Sequence, residues 1–195
     1  MASTILTRSA TGATSITEAT ISAWIKRSTL GSRVIFNSAY LDASTYYFRI
    51  QFDPNNFLEI ENSDNATNLY LKPNQVFRDV SAWYHIVVRL SLTETGNDRC
   101  KLYINGEQVT SFASQIAMTG DQFLVGKNNY TVRVGSNTSA SANFDGSMAH
   151  VHFIDGLAYD ASTFGETDSL TGIWKPIISP SVTYGTNGFF LKFAS

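Results

Sequence analysis

The stretch FLEIENSD, residues 57–64, places Glu59 and Glu61 two apart, with Asp64 three residues further on. On a strand, residues two apart project from one face, so the glutamates form a pair. Paired carboxyl groups are the equipment of glycoside hydrolysis, where a retaining enzyme holds nucleophile and acid roughly 5 to 5.5 Å apart and raises the acid's pKa. The competing reading is the polar face of an exposed strand at a sheet rim. His150 and His152 are also two apart and could ligate a metal, with Cα atoms roughly 6.5 to 7 Å from each other. No third ligand stands near them in the sequence, and His85 beside Trp83 reads as a hydrogen bonder at the edge of a core. No Ser/His/Asp order, Cys/His pair or phosphate-cradling glycine loop offers other chemistry.

Sugar recognition asks for an aromatic platform beside amide and carboxylate groups, because a pyranose has an apolar face and a rim of hydroxyls. Two stretches approach this: DASTYYF, with Tyr46 and Tyr47, and GKNNYTVRVGSN, with Asn128, Asn129 and Tyr130. Adjacent tyrosines on a strand point to opposite faces, so one of Tyr46 and Tyr47 is expected in the core. Asp42, Asp53, Asp64, Asp98 and Asp145 lie near turns and could supply oxygens to Ca²⁺. Their scatter gives no dense ligand loop, so no metal site and no cofactor is assigned.

The elements that must position these residues are strands. TISAWIKRS (20–28), SRVIFNSA (32–39), STYYFRIQFD (44–53), NFLEIEN (56–62) and AWYHIVVRLSL (82–92) are short, rich in aromatic and β-branched residues, and separated by Gly, Asn, Asp, Ser and Pro. Asn105-Gly106 between apolar alternations predicts a type I′ hairpin, and Asp155-Gly156 repeats the signal. In WYHIVVRL, Tyr84, Ile86, Val88 and Leu90 share one face and Trp83, His85, Val87 and Arg89 the other, which marks a central strand covered on both sides. In AHVHF, Ala149, Val151 and Phe153 are expected to face the core and the two histidines the other way. NATNLYLKPNQVFRD reads as a polar loop, residues 135–146 as a long exposed loop, and helix as at most a turn near ASTFGE. The pattern predicts an all-β antiparallel β-sandwich or jelly roll, as a single domain over 1–195.

Composition narrows the partners. Charged residues make up 15 % of the 195 and the net charge is -2, with no basic stripe to neutralise nucleic-acid phosphates. No segment approaches the length of a membrane span and the N-terminus shows no signal peptide, so a soluble protein without its own export signal is expected. Cys100 stands alone and cannot form an internal disulfide. The sequons at Asn65, Asn129 and Asn137 read as loop polarity.

Residues 81–112, SAWYHIVVRLSLTETGNDRCKLYINGEQVTSF, resemble the central hairpin of laminin-G-like, concanavalin A-like jelly rolls. TISAWIKRS is similar to that family's early Trp strand, and residues 132–166 to its late Gly, Phe-Asp-Gly and final-strand signature. Concanavalin A-like β-glucanases carry a motif resembling Glu-x-Asp-x-x-Glu. Here the run reads Glu59-Ile60-Glu61-Asn62-Ser63-Asp64, with Glu at the central position and the shorter Asp at the last, so hydrolysis is not expected. FIDGLAYDASTFGETDSLTGIWKPI followed by YGTNGFFLKF is similar to a run in laminin-G-like virion proteins of tailed bacteriophages. The resemblance implies a non-enzymatic surface module of a tail fibre or capsid, located on the virion, partnered by other virion proteins and its own copies, and contacting host-surface glycans. The alternative is a cementing subunit that binds no sugar. The tail NGFFLKFAS is expected either to pair into the home sheet through Phe189, Leu191 and Phe193 or to dock partly on a neighbour.

Overall fold

The computed structural model of the chain describes residues 5–12, 16–41 and 45–193. Its first strands are β1 (Leu6–Ser9), β2 (Glu18–Arg27), β3 (Arg33–Tyr40), β4 (Tyr46–Phe52), β5 (Leu58–Asp64) and β6 (Thr67–Pro73). Then come β7 (Tyr84–Ser91), β8 (Cys100–Ile104), β9 (Glu107–Gln108), β10 (Phe112–Ile116), β11 (Tyr130–Val134) and β12 (Gly146–Asp155). The last are β13 (Gly165–Thr167), β14 (Trp174–Pro176) and β15 (Phe189–Leu191). Helix among the described residues is confined to two 3₁₀ turns, Gly96–Arg99 and Ala161–Thr163. No described helix is long and apolar enough to cross a membrane.

The strands form an all-β antiparallel sandwich. One sheet has seven strands in the order β1-β11-β3-β4-β5-β6-β10, the other six in the order β15-β12-β2-β7-β8-β9, and β13 and β14 make a separate ribbon. Period-two alternation builds the core between the sheets. Phe48, Ile50 and Phe52 of β4, with Leu58 and Ile60 of β5, meet Ile21 and Ile25 of β2, Ile86 and Val88 of β7, and Phe153 of β12, all essentially buried. The Asn105-Gly106 turn has positive φ at both residues, 51° and 88°, as a type I′ hairpin requires.

Two local expectations are overturned. Residues 67–73 are strand β6, not loop: Asn65 turns the chain at φ 79°, and Leu69 and Leu71 then alternate into the core. Asp155-Gly156 closes no hairpin. The Asp155 carboxylate instead accepts bonds from the backbone and side-chain N–H groups of Asn187, at 2.9 and 3.0 Å, and the chain leaves Gly156 to cross the sheet's outer face.

That crossing answers to the two-sided apolarity of β7. On its outward side, Val87 joins Tyr103, Ile154, Ala161 and Phe164 in a second buried cluster, with Tyr159, Trp174, Val182 and Tyr184 packed against it. His85 is the hinge of the contact. Its ring stacks on Trp24 at 4.7 Å, its Nδ1 accepts the Trp174 indole N–H at 2.9 Å, and its Nε2 lies 2.8 Å from the Ser22 hydroxyl. An accepting Nδ1 leaves the neutral ring's proton on Nε2. A Cβ at Gly106 or Gly165 would stand 2.7 or 2.4 Å from the Trp174 ring, so both glycines make room for it.

His152 is held similarly, with Nδ1 2.9 Å from the Tyr184 hydroxyl and its ring stacked on Phe190 at 4.2 Å. Val151 and Phe153 face the core as expected, while a bulge with His150 at φ 46° separates the two histidines, whose rings lie 6.4 Å apart. The tail pairs into the home sheet, Phe189 opposite Phe153 and Leu191 opposite Val151, and Phe193 remains 46 % exposed.

Two predictions follow from the covered sheet face. Replacing Trp174 with Ala removes half-buried aromatic area and strips His85 Nδ1 of its donor, so chemical denaturation should show a loss of about 2–4 kcal/mol. Burial, reinforced by the other histidines, pushes His85 down to about 3 and His152 down to about 4. Both titrate near 6.5 in an unfolded chain, so between about pH 6.5 and 4 the unfolded state holds more protons. Stability should be level above pH 6.5 and fall as pH drops toward 4, by up to about 1.4 kcal/mol per pH unit for each imidazole, read from urea midpoints across that range.

Candidate functional site

The glutamates of FLEIENSD lie inside the large sheet, on the fifth of its seven strands, and not at a rim. Both project from its outer face. Glu59 accepts the Tyr70 hydroxyl at 2.5 Å and Lys72 Nζ at 3.4 Å on one oxygen, and the Gln51 amide at 3.0 Å on the other. Glu61 accepts Arg49 Nη2 at 3.3 Å and the Thr67 hydroxyl at 2.8 Å. Burial would raise the neighbouring Asp53 carboxyl, but the Lys72 ammonium and the amides of Phe57 and Asn55 outweigh it and hold it below its ordinary range. All four glutamate oxygens are therefore committed to donors, in a cross-strand network of the kind that stabilises sheets. The segment taken for a polar loop supplies the Tyr70, Lys72 and Thr67 side of that network.

A different arrangement forms at the hairpin end of the same sheet. Tyr40 ends β3, Tyr46 begins β4 and Tyr130 begins β11, with Tyr130 paired opposite Tyr40. The Tyr40 ring lies 5.5 Å from Tyr130 and 6.5 Å from Tyr46, tilted and edge-on respectively. These three, with Asp64, Gln122, Leu124 and Lys127, line an open groove of about 470 Å³. Tyr40 and Tyr46 are 38 % and 37 % exposed, whereas Tyr130 is buried at 5 % and forms the back wall. Burial, with the nearby phenols and Asp64, pushes Tyr130 up to about 12, so its hydroxyl remains a proton donor.

Polar side chains ring this aromatic surface. Lys127 Nζ donates to Gln122 Oε1 at 2.5 Å, and Asp64 stands opposite Tyr46 in the β4–β5 register. The 121–125 segment is held beneath by Asn62, whose Oδ1 accepts the Leu124 amide at 2.7 Å while its Nδ2 donates to Asn68.

The sequence candidates separate accordingly. Tyr46 and Tyr130 come together, joined by Tyr40, Gln122 and Lys127, which sequence reasoning did not single out. Pairing β3 with β4 as a hairpin is the signal that would have found Tyr40. Neither Tyr46 nor Tyr47 enters the core: Tyr46 faces inward but beyond the last core layer at Phe48, and Tyr47 lies on the outer face with the Arg49 guanidinium 4.4 Å over its ring. Asn128 and Asn129 form the turn before β11, Asn129 at φ 66° with its carbonyl accepting the Leu41 amide, and they do not line the groove.

Of the aspartates weighed for Ca²⁺, Asp42 lies outside the described residues. Asp53 is engaged by Lys72, Asp98 pairs with Lys101 at 3.4 Å, and Asp64 borders the groove. Among the described residues no group of three or more His, Cys, Asp or Glu is placed to hold a metal.

Comparison with solved structures gives the architecture. The CBM40 of Ruminococcus gnavus IT-sialidase, in a complex with α2,3-sialyllactose, superposes with a TM-score of 0.54 at 13 % identity over 73 % of this chain and 89 % of that one. A heptameric SAP-like pentraxin from Limulus polyphemus gives 0.53 at 14 % identity over 92 % and 85 %. A leech intramolecular trans-sialidase gives 0.56 at 16 %, with 78 % of this chain matching 24 % of that longer one. At these identities the likeness is one of fold. No curated protein matches the chain in sequence. Residues 3–160 match a laminin G family pattern, and over that majority of its length the chain belongs to the concanavalin A-like lectin/glucanases superfamily.

Proposed function

We propose that this protein is a non-catalytic glycan-binding module whose sugar site is the Tyr40–Tyr46–Tyr130 groove. The carrying observation is the convergence of three phenol rings from three strands on one open groove rimmed by Asp64, Gln122 and Lys127. A pyranose can lay its apolar face on such rings and meet donors and acceptors at its edge. The fold shared with a sialyllactose-bound CBM40 supports the reading. The commitment of Glu59 and Glu61 to donors on a different face supports the absence of catalysis.

The module's place, in this proposal, is the surface of a tailed-phage virion, as a tail-fibre or capsid component contacting host glycans and assembled with its own copies. The support is the resemblance of residues 153–177 and 184–193 to virion proteins of that kind. A second reading, a cementing subunit without sugar binding, draws on the exposed apolar side chains Leu170, Ile173 and Ile178 on the covering segment.

A glycan array probed with the purified protein, with and without Ca²⁺, should show saturable binding. Tyr46→Ala should weaken it by about 1–2 kcal/mol, a factor of roughly 5 to 30. A stable oligomer by light scattering that binds no glycan would favour cementing instead. Glu59→Gln should leave glycan affinity unchanged and lower stability by about 0.5–1.5 kcal/mol. Polysaccharide cleavage by the wild type that this variant loses would overturn the non-catalytic reading.

A further inference from the structure

At one edge of the sandwich the two sheets end in β1 and β15, each paired on one side only among the described residues. Leu6 and Arg8 share a face of β1, and that face looks across to β15, because the Arg8 guanidinium donates to the carbonyls of Thr186 and Gly188 at 3.0 and 3.4 Å. A slot lies between the two strands. One cavity of about 370 Å³ is walled by Leu6, Val134, Phe189 and Leu191. A second, of about 310 Å³, shares Leu6 and Val134 with the first and runs on to Phe144, Met148 and Phe193.

The lining sets this edge apart. At the opposite edge, the cavity beside β9 is bordered by Asn74, Gln75, Gln108, Thr110 and Ser111. At the β1–β15 edge the core between the sheets continues to the surface instead: Leu6, Phe144, Met148, Phe189 and Leu191 pack against it while only half-buried, and Phe193 is 46 % exposed. A contiguous apolar surface of this kind marks a binding site, and both volumes fall in the range of small-molecule pockets. The charge at the slot is one-sided. Arg8 is the only charged residue that lines either cavity, and among the described residues it meets two carbonyls and no carboxylate. An apolar trough with a cation at its mouth and no acid in its lining complements an apolar chain that carries an anionic head, and a guanidinium binds a carboxylate more strongly than a neutral oxygen.

We propose that the β1–β15 slot binds a single-chain amphiphile, with the hydrocarbon chain laid along Leu6, Leu191 and Phe193 and the carboxylate at Arg8. The slot shares no lining residue with the tyrosine groove, so the proposal stands apart from glycan binding.

The test is calorimetry of the full chain with octanoate, decanoate and laurate, each below its micellar concentration, and with dodecyltrimethylammonium as a cationic chain. Laurate should bind saturably at one per protein, and affinity should rise along the carboxylate series by up to roughly fourfold per methylene. Laurate should also bind roughly threefold or more tighter than the cationic amphiphile, and Arg8→Gln should weaken it by roughly two- to fivefold and narrow that difference. Leu6→Trp fills the slot and should abolish binding with the far-UV circular dichroism retained; should that variant not fold, the exposed Arg8→Gln substitution and the chain-length series decide. Tyr46→Ala should bind laurate as the wild type does, so failure of the glycan reading and failure of this one are told apart. No saturable laurate binding, an affinity independent of chain length, or equal affinity for the two head groups overturns the proposal. So does a dimer, seen by light scattering, that excludes laurate and that Leu6→Trp dissociates, because the slot would then be covered by a second copy.

Discussion

The architecture depends on the six-stranded sheet being apolar on both faces. Its inner face packs on the seven-stranded sheet, and its outer face, with Val87, Tyr103 and Ile154, must be removed from water by something else. The chain between β12 and β15 does this. His85 helps secure the cover from beneath, bonded to Ser22 within the sheet and to Trp174 above it, as His152 does through Tyr184. A neutral imidazole suits the place, since it can accept from one side and donate to the other without a buried charge. With that face occupied, the ends of the sandwich, the edge between β1 and β15 and the outer face of the large sheet remain open to a ligand.

The two ends differ. At the Arg27 end, a buried guanidinium donates to the carbonyls of Phe77 and Gly31 and to Asn56 Oδ1, and lies 4.1 Å over the Phe52 ring, tying three loops together. At the other end β4 begins with Tyr46 where the core has already stopped, so Tyr40 and Tyr46 are left partly bare against a buried Tyr130, over a floor fixed by Asn62 and Leu124. The proposed recognition groove thus sits at the end where the aromatic rings exceed what the core can bury.

Side-chain length explains the third open surface. On the outer face of the large sheet, Arg, Lys, Glu, Gln and Tyr span neighbouring strands and satisfy one another, most completely around Glu59.

Much of the fold was legible in the residues. Alternation placed β2, β3, β4, β5 and β7, the Asn105-Gly106 turn was called with its type, and the double apolarity of WYHIVVRL announced a strand covered on both sides. Tyr46 and Tyr130 were named from residue type alone. Strand β6 was missed because its inward set is only Leu69 and Leu71 within a polar run. Asp155-Gly156 misled because a local turn signal cannot reveal that Asp155 is claimed by Asn187. The sequence by itself determined the period of each strand, the turns that need positive φ, and which side chains were available, since these are local properties of φ, ψ and residue size. Tertiary structure alone decided that Tyr40 joins Tyr46 and Tyr130, and that Glu59 and Glu61 are tied up by Lys72, Tyr70 and Arg49. Those outcomes depend on which strands become neighbours and in which register, and both are set by the summed burial of two sheets and not by any one segment.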